Sequence, residues 1–421
     1  MYFKRNLSSQ LSVWQRNTTK KPLILKGIRK VGKTTLVKEW GGSKYEDVAY
    51  FDLSNCDDWV EIFHPECEPE IVIEKLASLW GCRFDFASTL IVLDNLDSCP
   101  NALEYFSQFN SLIDNHSIIG ISSYFEFSSQ NFTDNYFENI SVKTLHPLTF
   151  KEYLEQTSQF GKASYTHYAN RDHIKSIKKK FFTILQNKFE DFLVSGGLPE
   201  PAKVYHKTKS KSATLKVQQN IINSIESDFL RFTTGVLPKR LHEIWVSISR
   251  YNTKGNFKFS NIDLNSRSRE YQDAIDWLIR VGLIHQVSTD INDKYFPADI
   301  GFVNTFYSDV VVAKNNTEYL YALGCLCRKF SSVKIVDGII QVENKSNRIP
   351  IQCITNTGVK KYKSNHTGSL LVHLRMSDSN LMNDVLQLPV FFVDDVAKFN
   401  RIAIKQLKTN YFPEKRTADI Y

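Results

Sequence analysis

Short apolar runs alternate with helical patterns over the first 150 residues. Leu7, Leu11 and Trp14 recur at spacings of four and three, which predicts an amphipathic opening helix over 5–17. Buried strands are predicted at four apolar runs, LIL (23–25), VAYFDL (48–53), TLIVLD (89–94) and SIIGIS (117–122). Because helical patterns lie between these runs, we expect a parallel sheet with helices on its faces.

The pattern changes after about residue 150. Residues 151–235 are predicted to be mainly helical, with a break at SGGLPEP (195–201). Over residues 236–300 the pattern predicts three helices followed by a hairpin of IHQVST and KYFPAD. This order of elements is the layout of a winged helix-turn-helix. Residues 301–421 mix helix with the strand-like runs VKIVDGIIQVE, IPIQCI, SLLVHL and LPVFFV, so a final small α/β domain is expected.

Composition places the chain among ordinary folded proteins. Of its 421 residues 42% are hydrophobic and 23% are charged. No apolar run approaches the roughly 18 residues that span a bilayer, and the N-terminus has no apolar signal region. The seven cysteines are scattered without a C-x-x-C pair, so we expect a reducing cytoplasm and no zinc site.

The charge balance is mildly basic. The formal net charge is +8, which permits contact with nucleic acid without requiring it. Two local basic runs stand out, Lys178–Lys180 and the alternating Lys207, Lys209 and Lys211. We interpret both runs as solvated surface.

The stretch GIRKVGKT matches the phosphate-binding pattern G-x-x-x-x-G-K-[ST] at Gly27, Gly32, Lys33 and Thr34. The glycines let backbone N–H groups turn toward phosphate oxygens, and the following helix points its positive end at the same anion. Lys33 is expected to reach the β- and γ-phosphates. The rest of the predicted ATP contact comes from the loop and the start of the helix, at Arg29, Lys30, Val31 and Thr35.

The magnesium partner should be an acid at the end of a neighbouring apolar strand. TLIVLD ends in Asp94, so we predict that Mg²⁺ is held by Asp94 and the Thr34 hydroxyl. Ser122 and Ser123 end the next predicted strand. Each is either a sensor of the γ-phosphate or an ordinary serine at a strand end.

ATP hydrolysis also needs a group that positions or deprotonates the attacking water. Asn95 follows Asp94, and an amide orients water but cannot accept a proton at neutral pH. Asp97 is three residues beyond Asp94 and is the candidate replacement base. Slow hydrolysis by Asp97 with Asn95, and ATP binding without turnover, both stay open. An Asp97 side chain facing the γ-phosphate favours the first, and one facing solvent favours the second.

The chain resembles the prokaryotic AAA-type ATPases of the AAA_14 group that carry a C-terminal DUF4143 region. The resemblance follows in order KPLILKGIRKVGKTTLVKEW, TLIVLDNLDSCPNALEYF, TLHPLTFKEYL, FLVSGGLPEPAKVY, ESDFL and YFPADIGFVNTF, and it weakens after about residue 315. It implies an α/β protein with an AAA-type P-loop NTPase domain at 1–150, a helical linker or lid at 151–235, a winged helix at 236–300, and a DUF4143-type region at 301–421 with a restriction-endonuclease-like core.

The sequence departs from the family pattern twice. Asn95 stands where the family usually has glutamate. In the C-terminal region Asp337 fits the first acid of a nuclease site, but Gln352 and Ile354 replace the expected Glu-x-Lys. A glutamine binds metal weakly and an isoleucine cannot stabilise a charged phosphate, so this region is expected to be a degenerate, inactive nuclease fold. A nuclease that uses Asp337 with Glu343 is the less favoured alternative.

Two functions fit these observations. The first is a slow ATPase or nucleotide-dependent switch whose winged helix contacts DNA or protein. In that case Arg267, Arg269 and Gln272 on the third helix are the candidate DNA contacts, although Glu270 and Asp273 nearby would repel phosphate. The second is an interaction scaffold in which bound ATP is structural. The sequence favours no membrane contact and leaves the oligomeric state open.

Overall fold

The structure is a computed structural model of residues 1–421. It describes residues 1–112, 117–128, 132–251, 257, 259, 262, 268–290, 292–306, 314–336, 339–344, 347–353, 371–375, 379–382 and 385–411. The chain divides into two compact units. The first unit comprises Tyr2–Pro147 and Asp273–Leu283, and the second comprises Met1, Leu148–Gln272 and Ile284–Tyr421. The predicted four-part division is finer than this and stays a prediction.

The first unit is built on a parallel sheet. Its elements in chain order are α1 (Leu7–Arg16), β1 (Leu23–Lys26), α2 (Lys33–Gly41), β2 (Asp47–Asp52), α3 (Pro69–Trp80), β3 (Thr89–Asp94), α4 (Pro100–Gln108), β4 (Ile118–Ser122), α5 (Phe125–Ser128), α6 (Asp134–Glu138) and β5 (Ser141–Thr144). The strand order is β2-β3-β4-β1-β5, and every neighbouring pair is parallel. The predicted opening helix and the four predicted strands are confirmed.

Strand β5 was not predicted from the sequence. Its residues, SVKT, include a single apolar side chain, and none of the four is fully buried. The strand lies at the sheet edge, where it pairs with β1 alone. In contrast all six residues of β3 are buried, which is why a continuous apolar run identified that strand.

The second unit combines a helical layer with a mixed sheet. Its elements are α7 (Phe150–Thr157), α8 (Gln159–Ala169), α9 (Lys179–Ser195), α10 (Pro199–Thr208), α11 (Lys211–Phe232), α12 (Leu237–Tyr251), β6 (Ile284–Thr289), β7 (Lys294–Pro297), α14 (Ile300–Phe306), α15 (Lys314–Lys329), β8 (Ser332–Val336), β9 (Ile339–Asn344), β10 (Asn347–Cys353), β11 (Leu371–Arg375), β12 (Asn380–Met382), β13 (Val385–Pro389) and α16 (Val396–Tyr411). Helix α13 (Gln272–Arg280) lies almost entirely in the first unit.

The hairpin predicted near residue 290 forms, with β6 antiparallel to β7. Strand β6 also pairs in parallel with β8, through Ser288–Lys334 and Thr289–Ile335. The hairpin is therefore the end of an eight-stranded sheet, β12-β13-β11-β10-β9-β8-β6-β7. A winged-helix domain at 236–300 is not established by these elements, because hairpin and third helix fall in different units.

One predicted strand in the C-terminal region is wrong. Of the run LPVFFV, only Leu388 and Pro389 lie in β13, and Val390–Asp395 form a 3-10 helix whose first four residues are buried. A short apolar run marks burial but does not distinguish strand from buried helix. Asp337 and Ile354 lie outside the described residues, Gln352 is described only as backbone in β10, and Glu343 lies in β9.

In the described part of the chain, no helix has the length and apolar character needed to cross a membrane.

Candidate nucleotide-binding site

The loop between β1 and α2 has the backbone shape of a phosphate cradle. Gly27, Lys30 and Gly32 all have positive φ, at 154°, 62° and 99°. A Cβ atom on Gly27 would lie 2.3 Å from the carbonyl oxygen of Leu145, so only glycine fits there. Helix α2 begins directly after Gly32, and the first N–H groups of a helix have no partner within it. Loop and helix thus form an anion-binding corner.

Lys33 lies buried at this corner. Its Nζ atom donates hydrogen bonds to the carbonyl oxygens of Gly27 at 2.7 Å and Ile28 at 3.2 Å, and to Ser123 Oγ at 2.8 Å. These three acceptors are neutral oxygens. A phosphate group would meet the positive charge of Lys33 at the mouth of the loop.

Asp94 is the centre of a hydrogen-bonded group at the carboxyl end of β3. Thr34 Oγ1 donates to Asp94 Oδ2 at 2.6 Å, and the Tyr50 hydroxyl donates to the same oxygen at 2.8 Å. The Asn95 backbone N–H donates to Asp94 Oδ1 at 2.8 Å. Burial, and then the charge of Asp94, raise the pKa of Tyr50, which keeps the phenol protonated as a donor. The predicted magnesium ligands, Thr34 and Asp94, are brought together.

Hydroxyl and carboxylate oxygens are the donors that Mg²⁺ prefers. Among the described residues no group of three metal-ligating His, Cys, Asp or Glu side chains forms. One carboxylate with one hydroxyl suits a Mg²⁺ ion that takes its remaining ligands from water and substrate phosphates.

Asp97 faces the end of β4 and not solvent. Its carboxylate is buried, and Oδ1 accepts a hydrogen bond from the Ser123 backbone N–H at 2.9 Å. Ser123 in turn accepts from Lys33, so a chain of contacts joins Asp97 to the phosphate loop. Ser122 is buried and its Oγ accepts from the Tyr124 N–H at 3.3 Å. Of the two serines, Ser123 is the one at the site.

Asn95 pairs with an acid that the sequence analysis did not single out. Its backbone is left-handed, with φ at 56°, and its Nδ2 donates to Asp52 Oδ1 at 2.8 Å. Asp52 ends β2 and lies opposite Asp94 in the strand register. Burial alone would raise the pKa of Asp52, but hydrogen bonds from Asn95 and Ser54 outweigh it and hold that pKa below its ordinary value. Asp52 is thus an exposed, ionised carboxylate beside the site.

A sequence signal for Asp52 existed. Both β2 and β3 end in aspartate, and the carboxyl ends of neighbouring parallel strands meet at one edge of the sheet. The other predicted loop contacts stay predictions, and their side chains differ in exposure. Arg29 is partly exposed, Lys30 and Thr35 are exposed, and Val31 is buried.

The candidate DNA contacts lie apart in the sequence from this site. Arg269 lies in the 3-10 turn before α13 and Gln272 is the first residue of α13. Both are exposed, as are the neighbouring acids Glu270 and Asp273. Arg267 lies outside the described residues. The buried face of α13 includes Trp277, whose ring lies 5.6 Å from that of Tyr124.

Arg5 is a further residue that the sequence analysis missed. Its side chain is buried, Nη1 donates to the Val31 carbonyl oxygen at 2.9 Å, and Nη2 donates to the carbonyl oxygen of His146. One guanidinium therefore joins the phosphate loop to the segment that follows β5. Both acceptors are backbone carbonyl oxygens, which every residue has, so no sequence motif indicates this role for Arg5.

Replacing Arg5 with alanine is expected to lower the free energy of unfolding by about 2–4 kcal/mol, because two carbonyl groups lose a charged donor. Guanidinium unfolding curves would measure the change. Lys4→Ala removes an exposed positive charge one residue away and should cost under about 0.5 kcal/mol. Equal losses in the two variants would show that Arg5 does not support the loop.

Comparison with known proteins agrees with this geometry. Residues 19–154, which include the phosphate loop, match the family model described as an AAA domain. Residues 186–290 match a different model, a domain of unknown function (DUF8612), and a DUF4143 match is not among these findings. A search of curated proteins finds no match.

Three solved structures are among the matches. The Aeropyrum pernix ORC2 protein is 11% identical with a TM-score of 0.41, over 76% of this chain and 95% of that chain. The Aeropyrum pernix ORC1 protein in complex with DNA is 13% identical with a TM-score of 0.30, over 72% and 91%. The Thermotoga maritima RuvB Holliday junction branch migration motor is 13% identical with a TM-score of 0.31, over 69% and 90%.

Proposed function

We propose that the chain binds ATP with Mg²⁺ and acts as a slow ATPase or nucleotide-dependent switch. The observation that carries the proposal is the meeting of Lys33, Thr34 and Asp94 at one corner of a parallel sheet. Lys33 supplies positive charge for the β- and γ-phosphates. Thr34 and Asp94 supply the oxygens that would hold Mg²⁺, which neutralises phosphate charge when bound.

Two carboxylates compete for the role of base. The carboxylate of Asp97 is buried, and one of its oxygens accepts from Ser123, so it serves best to fix Ser123 near Lys33. Asp52 is exposed, ionised and bonded to Asn95, the residue that follows Asp94. We therefore assign the base to Asp52 and the orientation of water to Asn95. Asp97 positions Ser123.

The reaction follows from these positions. The oxygen of an attacking water bonds to the γ-phosphorus while its proton passes to the Asp52 carboxylate. The bond from the γ-phosphorus to the bridging oxygen breaks, and ADP leaves with that electron pair. Lys33 offsets the negative charge of the phosphates during this transfer.

Turnover of ATP by purified protein tests the assignment. Asp52→Asn keeps the shape of the side chain but cannot accept a proton, so turnover should fall by about 10² to 10⁴ while ATP affinity stays within a few fold. Asp97→Asn should perturb turnover less, because an amide oxygen still accepts from the Ser123 N–H. If instead Asp97→Asn abolishes turnover and Asp52→Asn does not, Asp97 is the base.

The alternative is a nucleotide-bound scaffold without enzymatic activity. The observation in its favour is Asn95 itself, since an amide stands where the resembled family has glutamate. Tight ATP binding by the wild type, with no turnover above that of Lys33→Ala, would establish this alternative.

The remaining parts of the chain enter the proposal through sequence patterns. A partner is proposed for α13 and the 3-10 turn before it, where the exposed basic residues Arg269 and Arg280 are accompanied by the acids Glu270 and Asp273. Mixed charge of this kind fits a protein surface better than a phosphate backbone. The C-terminal region is proposed to be a DUF4143-type nuclease-like domain without nuclease activity, on the pattern at Asp337, Gln352 and Ile354.

A further inference from the structure

The positive charge of the chain is concentrated in one segment. Residues 171–216, here called the basic segment, include eleven lysines and arginines and only four acids. This difference of +7 accounts for nearly all of the net charge of +8. The remaining 375 residues are close to neutral. Both lysine runs that the sequence analysis assigned to plain solvated surface lie inside this segment.

The basic segment is a continuous part of the helical layer in the second unit. It extends from the residues before α9, through α9 and α10, to the first turns of α11. Lys209 Nζ lies 2.6 Å from Asp191 Oδ2, and Lys188 Nζ lies 3.5 Å from the same oxygen. These contacts fix the second lysine run against α9, the helix that begins with the first run. At 1.5 Å per residue, Lys180 and Lys188 are about 12 Å apart along α9.

Most of this charge is not neutralised within the protein. Asp191 is the acceptor of both ion pairs found in the basic segment. Seven exposed lysines of the segment form no ion pair with a carboxylate of the described chain, namely Lys175, Lys178, Lys179, Lys180, Lys207, Lys211 and Lys216. A surface with this excess attracts polyanions over about a Debye length.

Lys178–Lys180 also lie where positive charge destabilises helix α9 in the isolated protein. Lys178 is the N-cap residue of α9, Lys179 and Lys180 follow, and the first turn has no acid. Cations at a helix N-terminus oppose the helix dipole, and Lys178 provides no side-chain cap. An anion bound at this end would reduce the repulsion among the lysines and would interact favourably with the positive end of the helix dipole. Three lysines in this place therefore favour a phosphate partner over simple solubility.

The apolar side chains of the segment indicate which polyanion fits. Residues 171–216 include no exposed large apolar residue, and, among the residues that the structure describes, the one exposed ring that packs on the segment is Phe160, whose centroid lies 5.6 Å from that of Phe181. Membrane-surface helices need exposed apolar residues to insert, and single-stranded nucleic acid is usually held by exposed aromatic rings. A single exposed ring provides neither an apolar face that inserts into a membrane nor a series of rings on which successive bases stack. A double-helical phosphate backbone needs only positive charge at suitable spacing.

We propose that the basic segment is a binding surface for the backbone of double-stranded DNA, separate from α13 and from the ATP site. Lys178–Lys180 would contact one stretch of backbone and the Lys207–Lys211 corner another. Lysines that contact phosphates and do not contact base edges bind DNA independently of its sequence. We therefore expect binding that depends strongly on salt concentration and not on DNA sequence. The inference does not depend on ATP turnover.

Fluorescence anisotropy with a labelled 30-base-pair duplex and the full chain tests this surface. The triple variant Lys178→Glu, Lys179→Glu, Lys180→Glu should fold normally, since acids at a helix N-terminus are stabilising. We expect its affinity for duplex to fall by at least about tenfold. The slope of log affinity against log salt should become shallower by about 2 to 3, as expected from −0.9 per phosphate contact.

A matched variant controls for net charge. Lys44→Glu, Lys294→Glu, Lys334→Glu changes the charge by the same amount at three exposed positions outside the segment, and should retain duplex affinity within about twofold. An equal loss in both variants would overturn the proposal, as would a wild-type chain that does not bind duplex DNA. Tighter binding to single-stranded DNA, duplex RNA or vesicles containing phosphatidylserine would also overturn it. Lys33→Ala should bind duplex like wild type, which separates this test from that of the ATP site.

Discussion

Replacing Lys33 with alanine is expected to weaken ATP binding by at least about 100-fold, or roughly 3 kcal/mol. The Nζ atom lies at the mouth of the phosphate loop, held by the carbonyl oxygens of Gly27 and Ile28 and by Ser123 Oγ. The variant removes the charge that would meet the β- and γ-phosphates, and hydrogen bonds from charged donors are about twice as strong as neutral ones. Isothermal titration with a non-hydrolysable ATP analogue and Mg²⁺ measures the loss directly.

Lys44→Ala is a suitable control, because Lys44 is an exposed lysine just after α2. It should leave ATP affinity unchanged within about twofold. Circular dichroism of Lys33→Ala should match that of the wild type, since the loop keeps its glycines and the Arg5 contact to Val31. If Lys33→Ala bound ATP as tightly as wild type, the corner would not be a phosphate site and the proposed function would fail.

The sequence predicted most of the sheet of the first unit because β1, β3 and β4 are almost entirely buried. Runs such as TLIVLD can be assigned without tertiary information, since all their residues are buried. The edge strand β5 lacked this signal, and it forms because its backbone pairs with β1. The buried run VFFV had the signal of a strand but forms a 3-10 helix, since an apolar run reports burial alone.

The site was predictable where a residue type is fixed by chemistry. The spacing in GIRKVGKT identified Lys33 and Thr34, and a strand ending in an acid identified Asp94. Contacts that depend on which strands are neighbours were not visible in the same way. Asp52 pairs with Asn95 across 43 residues, and Arg5 reaches His146 across 141. Local sequence patterns do not indicate contacts between residues so far apart in the chain.

Some family-like motifs have a structural explanation. In PLTFKEYL, Thr149 is the N-cap of α7, its hydroxyl accepts from the Glu152 N–H, and Glu152 accepts from the Thr149 N–H. Phe150 is fully buried and packs its ring 5.2 Å from that of Phe189. The motif therefore encodes a capping box and a core residue. It needs no catalytic role.

The motifs SGGLPEP and YFPADIGFVNTF meet in the second unit through Asp299. Its Oδ2 accepts from the Gly197 N–H at 2.7 Å, and its Oδ1 accepts from the Gly301 N–H at 2.8 Å. Gly196 has a φ of 69°, and a Cβ atom there would lie 2.4 Å from Asp299 Oδ1. The glycines of SGGLPEP thus leave space for Asp299 of YFPADIGFVNTF. This contact is a structural reason for the residue types in both motifs.

Asp299→Ala is expected to lower the free energy of unfolding by about 3–5 kcal/mol, because two buried N–H groups are left without acceptors, at about 1–3 kcal/mol each. Asp299→Asn should cost less, about 1–3 kcal/mol, since one oxygen remains but an amide group must face a backbone N–H. Chemical unfolding curves followed by circular dichroism give both values. A free energy of unfolding that rises from Asp299→Ala to Asp299→Asn to wild type would show that Asp299 acts as a hydrogen-bond acceptor.

Asp293→Ala is the matched control, since Asp293 is an exposed aspartate six residues away whose described contact is to Gln286. It should change the free energy of unfolding by less than about 1 kcal/mol. A loss in Asp299→Ala no larger than this control would mean that the two motifs do not depend on each other. ATP affinity should be similar in folded Asp299→Asn and wild type, because Asp299 belongs to the second unit and the phosphate loop to the first. An Asp299→Asn chain that folds but loses ATP would instead indicate that the motif pair communicates with the nucleotide site.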